Sequence, residues 1–198
     1  MIFDVAELKW KKQKPKIFLN EGDKKYAEDF LRKNKLERKK ILGIHIGAGS
    51  RWPSKVWHEE NLKEFIEKAK KQGFEILLFG GPNEKEKHEK IIQELNEKGI
   101  KVFQNNPENS VKEFASLVNI CDKIICGDSF SLHIALALGK QTIGLFFCTP
   151  PWEIEGYGLL KTLVSPKLKE FFPEKCDIYD ENLVKSISAD EVLKKLNF

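Results

Sequence analysis

Residues 123–147 read KIICGDSFSLHIALALGKQTIGLFF, and they contain a complete strand–helix–strand unit. Lys123 to Cys126 is a short apolar run of strand type. Gly127 permits a sharp turn, and Phe130 to Leu138 follows as a helix. Gly139 stops that helix, and Thr142 to Phe147 is a second buried strand. The same alternation extends upstream. Ile41 to Ile46 is a strand, and a loop runs on to Trp57. Residues 59–72 form a helix with Leu62, Phe65, Ile66 and Ala69 as its apolar stripe. Phe74 to Phe79 is a strand, followed by the turn Gly80-Gly81-Pro82-Asn83 and a helix from Glu84 to Lys98. Ile100 to Phe103 is a strand, and Ser110 caps a helix through Val118. A last helix is opened by Ser188 and Asp190. Strands that are apolar on both faces, with helices between them, specify an α/β fold. Its architecture is a Rossmann-like, doubly wound parallel sheet.

Residues 1–40 precede this pattern as a basic connector arm, and 41–198 form the domain. The arm holds 13 Lys/Arg against 7 Asp/Glu, within a chain of 198 residues whose net charge is +4. Its helix runs from Asp23 to Lys35, with Tyr26, Ala27, Phe30 and Leu31 at three-to-four spacing. Such a basic segment suits either a solvated surface or contact with a phosphate-bearing membrane surface. No recognition motif for sequence-specific nucleic-acid binding accompanies it. The composition, 32% charged and 41% hydrophobic with 14 Phe and 4 Trp, excludes a membrane-spanning or a disordered chain. The start, Met1-Ile2-Phe3-Asp4, lacks an apolar h-region, so no secretory leader is expected and a cytoplasmic location is. Cysteines 121, 126, 148 and 176 form no C-x-x-C pair and read as small thiols in a reducing compartment.

Ligands bind such sheets beyond the carboxyl ends of the strands, which singles out loops 47–57, 80–84, 104–110, 127–130 and 148–157. Gly47-Ala48-Gly49-Ser50-Arg51-Trp52 begins like a dinucleotide fingerprint, but Trp52 occupies the third Gly position. No Walker A loop is present. The loop instead suits a phosphate without a metal: glycines for close approach, the Ser50 hydroxyl as donor, Lys55 as a flexible cation. Lys55 equally reads as one of many surface lysines. Gly81 and its neighbour allow close approach at the second strand end, and Glu84 is placed either to bind a ribose diol or to favour a helix start. Gly127-Asp128-Ser129-Phe130-Ser131-Leu132-His133 opens a helix whose free N–H groups suit an anion. Ser129 and His133 share one face, although His133 also reads as a buried core histidine. A serine-hydrolase elbow fails because Ser131 stands where the second Gly is needed.

Together these loops resemble glycosyltransferase family 9, the ADP-heptose heptosyltransferases. The family's G-A-S-x-x-x-K-x-W loop is matched by Gly47 to Trp57, its G-G-P-x-E turn by Gly80 to Glu84, and its S-x-x-E-x-A helix by Ser110 to Ala115. The D-[ST]-G-x-x-H-x-A-A-A-L-G signature is matched by Asp128 to Gly139, and F-G-x-T-x-P by Phe146 to Pro151. The resemblance implies that Ser50 and Lys55 contact the diphosphate of an ADP-linked sugar and that Glu84 binds its ribose. It puts adenine beside the backbone at Asn109, places Asp128 on the sugar and phosphate side, and makes Ser129 the cradle. Phe130 replaces the signature Gly and bulks up that cradle, and Cys148 replaces a small residue.

The resemblance further implies one half of a two-domain GT-B enzyme of lipopolysaccharide biosynthesis: a domain that binds the nucleotide-sugar for inverting transfer to a lipid-linked or cell-surface glycan. No metal and no cofactor are expected, and no catalytic residue in this chain. The base is expected from an N-terminal acceptor domain or a partner chain. Two other readings fit the same residues. One is a non-catalytic nucleotide- or protein-binding domain whose cleft residues Phe130, Phe147 and Trp152 seek a partner. The other is a different sugar-nucleotide enzyme on the same fold.

Overall fold

The computed structural model describes residues 13–47 and 51–196. Its centre is a six-stranded, wholly parallel sheet in the order β3-β2-β1-β4-β5-β6. The strands are β1 (Lys40–His45), β2 (Phe74–Leu78), β3 (Phe103–Gln104), β4 (Lys123–Gly127), β5 (Gln141–Phe146) and β6 (Leu160–Val164). The helices among the described residues are α1 (Glu21–Asn34), α2 (Glu59–Lys71), α3 (Lys85–Glu97), α4 (Val111–Asn119), α5 (Phe130–Ala137), α6 (Leu168–Phe171), α7 (Glu181–Val184) and α8 (Ala189–Leu196). None of them is long and apolar enough to cross a membrane.

Successive strand residues feed opposite faces, so two apolar layers form. Leu42, Ile44, Ile76, Leu78, Ile125, Ile143 and Leu145 pack against α2, α3 and α8. Ile41, Leu77, Phe79, Ile124, Cys126 and Phe146 pack on the other face against α1, α4 and α5. The α2 stripe anticipated from spacing, Leu62, Phe65, Ile66 and Ala69, is fully buried. In β1, Gly43 has no room for a side chain: a Cβ there would lie 2.6 Å from Ile124 Cδ1 and 2.8 Å from Phe79. That close approach lets α4 and the β2 end draw in over the sheet.

Several boundaries differ from the sequence expectation for local reasons. Helix α1 starts earlier because Asn20, not Asp23, is the cap. Asn20 Oδ1 accepts from Asp23 N, and the Asp23 carboxylate accepts from Asn20 N, in a capping box. Glu84 ends a short 3₁₀ turn and accepts from Gly81 N at 2.9 Å, so α3 begins at Lys85. Ile100 belongs to the close of α3 rather than to a strand. Gly99 adopts φ +74°, and Ile100 N donates back to Leu95 O, which shortens β3 to Phe103–Gln104. Only five strands were expected; the sixth, β6, is a half-exposed edge strand with no buried position.

Candidate functional site

The strand order reverses between β1 and β4, which opens a crevice at their carboxyl ends. A cavity of about 680 Å³ lies there. Its walls come from the β1 end (His45, Gly47), the loop after it (Arg51, Trp52, Lys55), the β2 turn (Gly80 to Pro82, Glu84), the β3 end (Asn105, Pro107, Asn109) and the starts of α4 and α5. Lys55, Gly81, Glu84, Asn109, Asp128, Ser129, Phe130 and His133, the expected site residues within the described chain, all line this one space. Gly49 and Ser50 lie outside the described residues. Loop 148–157 does not contribute. Its Phe147 neighbour is buried, so the expectation of an exposed cleft residue there is corrected: Phe147 packs into the core with Cys148. His133 is exposed on the cavity side, which excludes its reading as a core histidine.

One end of the cavity is charged. Lys55 Nζ pairs with Asp128 Oδ2 at 2.6 Å and donates to the Asp128 carbonyl at 3.3 Å. It also sits 4.1 Å from the centre of the Trp52 ring, and the Arg51 guanidinium lies over the same ring at 5.1 Å. Lys55 is therefore a buried, positioned cation rather than one of many solvated lysines. Its place is fixed from a distance. Lys55 ends the 3₁₀ turn Pro53–Lys55, and Ser54 Oγ donates to Ile178 O and accepts from Asp180 N. Just beyond the turn, Trp57 Nε1 and Asn61 Nδ2 both donate to Ile187 O. The segment around α7 thus braces the loop that carries Lys55.

Ser129 is the N-cap residue of α5, and among the described residues no side chain caps that helix. Its hydroxyl lies 2.8 Å from Ser131 Oγ and 3.4 Å from His45 Nδ1. The first N–H groups of α5 are therefore without a side-chain cap at a helix start that lines the cavity, where such groups can act as anion donors. Burial pushes the His45 imidazole down to about 4, which keeps it neutral beside Ser129. His88 behind the β2 turn is likewise pushed down to about 4, by burial and then by nearby His45. The turn must pass close over that ring: a Cβ on Gly80 would lie 2.4 Å from His88 Cε1.

A hydrogen-bond chain supports the part of the lining formed by the β2 turn and the β3 end. Asn105 Oδ1 accepts from Gly80 N at 2.9 Å, and its Nδ2 donates to Gly80 O and Asn109 Oδ1. Asn109 Nδ2 donates to the Tyr26 hydroxyl of α1 at 2.6 Å. The Asn109 side chain is therefore engaged within the protein, which leaves backbone groups of this loop to meet a ligand. Sequence reasoning missed His45, Trp52, Asn105 and Tyr26. His45 and Asn105 had a readable signal, since each stands at or just past the carboxyl end of a core strand. Tyr26 had none, because its reach into the site depends on how α1 packs. The four cysteines are free thiols, three of them buried.

The family model for glycosyltransferase family 9 (heptosyltransferase) matches residues 1–176. The chain belongs to this family. A lipooligosaccharide heptosyltransferase 2 of Campylobacter jejuni is 26% identical over 170 residues, which are 80% of this chain and 51% of that protein. A family 9 glycosyl transferase of Veillonella parvula has the same fold, with a TM-score of 0.80 at 20% identity, covering 98% of this chain and 57% of the other. The E. coli ADP-heptose lps heptosyltransferase II has the same fold, with a TM-score of 0.75 at 21% identity, covering 97% of this chain and 55% of the other. The family 9 chain described here thus spans about half the length of the relatives that it matches.

Proposed function

We propose that this chain is the donor-binding half of a heptosyltransferase-like enzyme and that its cavity holds an ADP-linked sugar. The observation that carries this reading is that one cavity brings together a positioned cation, Lys55, the start of α5 and the apolar side chains Val111, Phe114 and Phe130. A nucleoside diphosphate has the matching parts. The diphosphate would meet the α5 N-terminus, Ser129, Lys55 and Arg51, together with the loop that includes Gly49 and Ser50. The ribose diol would take the Glu84 oxygen not engaged with Gly81 N, with Gly81 permitting close approach. Adenine would lie along the Asn109 loop, and Asp128 and His133 would face the sugar. The name of the E. coli relative mentions ADP-heptose, which agrees with this choice of donor.

In such a reaction an acceptor hydroxyl displaces the diphosphate at the anomeric carbon, with inversion. Negative charge grows on the leaving diphosphate. Donors already fixed around it stabilise that charge without reorganising, which is the usual source of electrostatic catalysis. The base that takes the acceptor proton, and the acceptor site itself, would come from another domain or chain. We place the acceptor, a lipid-linked glycan of the lipopolysaccharide class, at the inner face of the membrane, with the basic residues of 1–40 towards the anionic surface. Calorimetric titration with ADP, UDP, GDP and NAD tests the reading. ADP is expected to bind most tightly, and binding of none of the four would refute it.

A further inference from the structure

The feature left unexplained by a phosphate cradle is Phe130. It stands at the first position of α5, where the resemblance leads one to expect Gly, and it is 52% exposed. Its ring lies 5.7 Å from the Phe114 ring at 48°, and Phe114 in turn lies 5.1 Å from Phe79. Three rings therefore run from the core outward to the cavity wall. Val111, one turn before Phe114 on α4, lines the same wall and is 58% exposed. A half-bare phenyl ring and a bare valine that line one cavity form an apolar surface that is complete only when something planar or apolar covers it. Lys55 and Asp128, which carry charge in the same cavity, make no ring contact with Phe130 or Phe114.

We infer that Phe130 is a nucleobase-stacking residue that determines specificity, not a modifier of the phosphate cradle. The inference rests on the donor reading above. The ring extends the Phe114 surface so that the base of the donor lies against it. The gain grows with the area of the base, because stacking is tolerant of sequence but scales with overlap. Phe130 would thereby contribute to a preference for purine over pyrimidine nucleotides that a glycine at this position cannot supply.

The experiment is a calorimetric titration of the full chain with ADP, UDP and inorganic pyrophosphate, carried out on wild type, Phe130→Ala and Phe130→Tyr. Thermal unfolding accompanies each titration. Phe130→Ala is expected to bind ADP about tenfold more weakly, in line with the loss of one base–aromatic stack. It should bind pyrophosphate within about twofold of wild type and lose most of its preference for ADP over UDP. Phe130→Tyr keeps the ring and should bind ADP as wild type does. ADP binding that is unchanged or tighter in Phe130→Ala overturns the inference and makes Phe130 an obstruction. An equal loss for ADP and pyrophosphate also overturns it, because the residue would then act on the helix start. Absence of ADP binding by the wild-type protein overturns the donor reading itself, and this inference with it.

Discussion

Replacing Lys55 by methionine separates the two jobs that this residue would do. The Lys55 side chain is 9% exposed and the Asp128 side chain 20%. The pair therefore falls between the surface case, about 0–1 kcal/mol, and the fully buried case, where losing one partner costs about 3–5 kcal/mol. Lys55→Met leaves the Asp128 carboxylate at the cavity edge without its cation and removes the contact over Trp52. We expect a loss of about 2 kcal/mol, a fall of roughly 4–8 °C in Tm for a chain of this size. Adding Asp128→Asn removes the stranded charge, so the double variant should regain most of that loss. Affinity for ADP should behave differently. A charge-assisted bond to phosphate contributes about 1.5–3 kcal/mol, so Lys55→Met should bind ADP roughly ten- to a hundredfold more weakly. The double variant should remain as weak as the single one. Thermal unfolding and calorimetry on the wild type, the single variant and the double variant decide the matter. A double variant that regains both stability and wild-type ADP affinity would refute a phosphate-binding role for Lys55 and leave it as the structural partner of Asp128.

Tyr26→Phe removes the acceptor of the 2.6 Å bond from Asn109. Its expected cost is about 1 kcal/mol of stability, with ADP affinity lowered several-fold and pyrophosphate affinity unchanged in the same titration. His45 and His88 are both held near 4 by burial. A lowered folded pKa means that their contribution to stability is complete above the ordinary value of about 6.5. It is lost as pH falls towards 4, to the extent of about 2 kcal/mol each by pH 5. Tm should therefore drop between pH 7 and pH 5, and the drop should be smaller in His88→Gln. Burial also raises the thiols, Cys126 to about 12 and Cys148 to about 11, while Cys176 alone is partly exposed. A thiol-labelling time course on the folded protein should show one fast cysteine and three that react only on unfolding.

The strands that decided the fold were legible because parallel strands buried on both faces leave unbroken apolar runs, as in Ile41 to Ile46 and Thr142 to Phe147. Edge strand β6 leaves no such run: Leu160 to Val164 is half-exposed throughout. Helices α6 and α7, four residues each, are too short to show a period. The site was legible in its loops, since a strand end followed by Gly or Ser marks a ligand-facing turn. What the residues alone concealed was pairing across the chain. Nothing around Lys55 announces that Asp128 holds it, or that Tyr26 reaches Asn109 across 83 positions. Phe130 is a further case: its place in the motif does not say where its ring lies, and only the packing of α5 against α4 sets that ring beside Phe114.

The bracing of the Lys55 turn gives the candidate site a local stability of its own. Ser54 and Trp57 are secured by residues 124 to 130 positions further along the chain. During synthesis, the residues that brace this turn, Ile178 and Ile187, are made only after all six strands are complete. In the finished protein, opening of the short segment around α7 would loosen the turn that carries Lys55. Leu183, Val184 and Ile187 of that segment are buried in the core, so the readiness of the cavity for a ligand is tied to the layer beneath it.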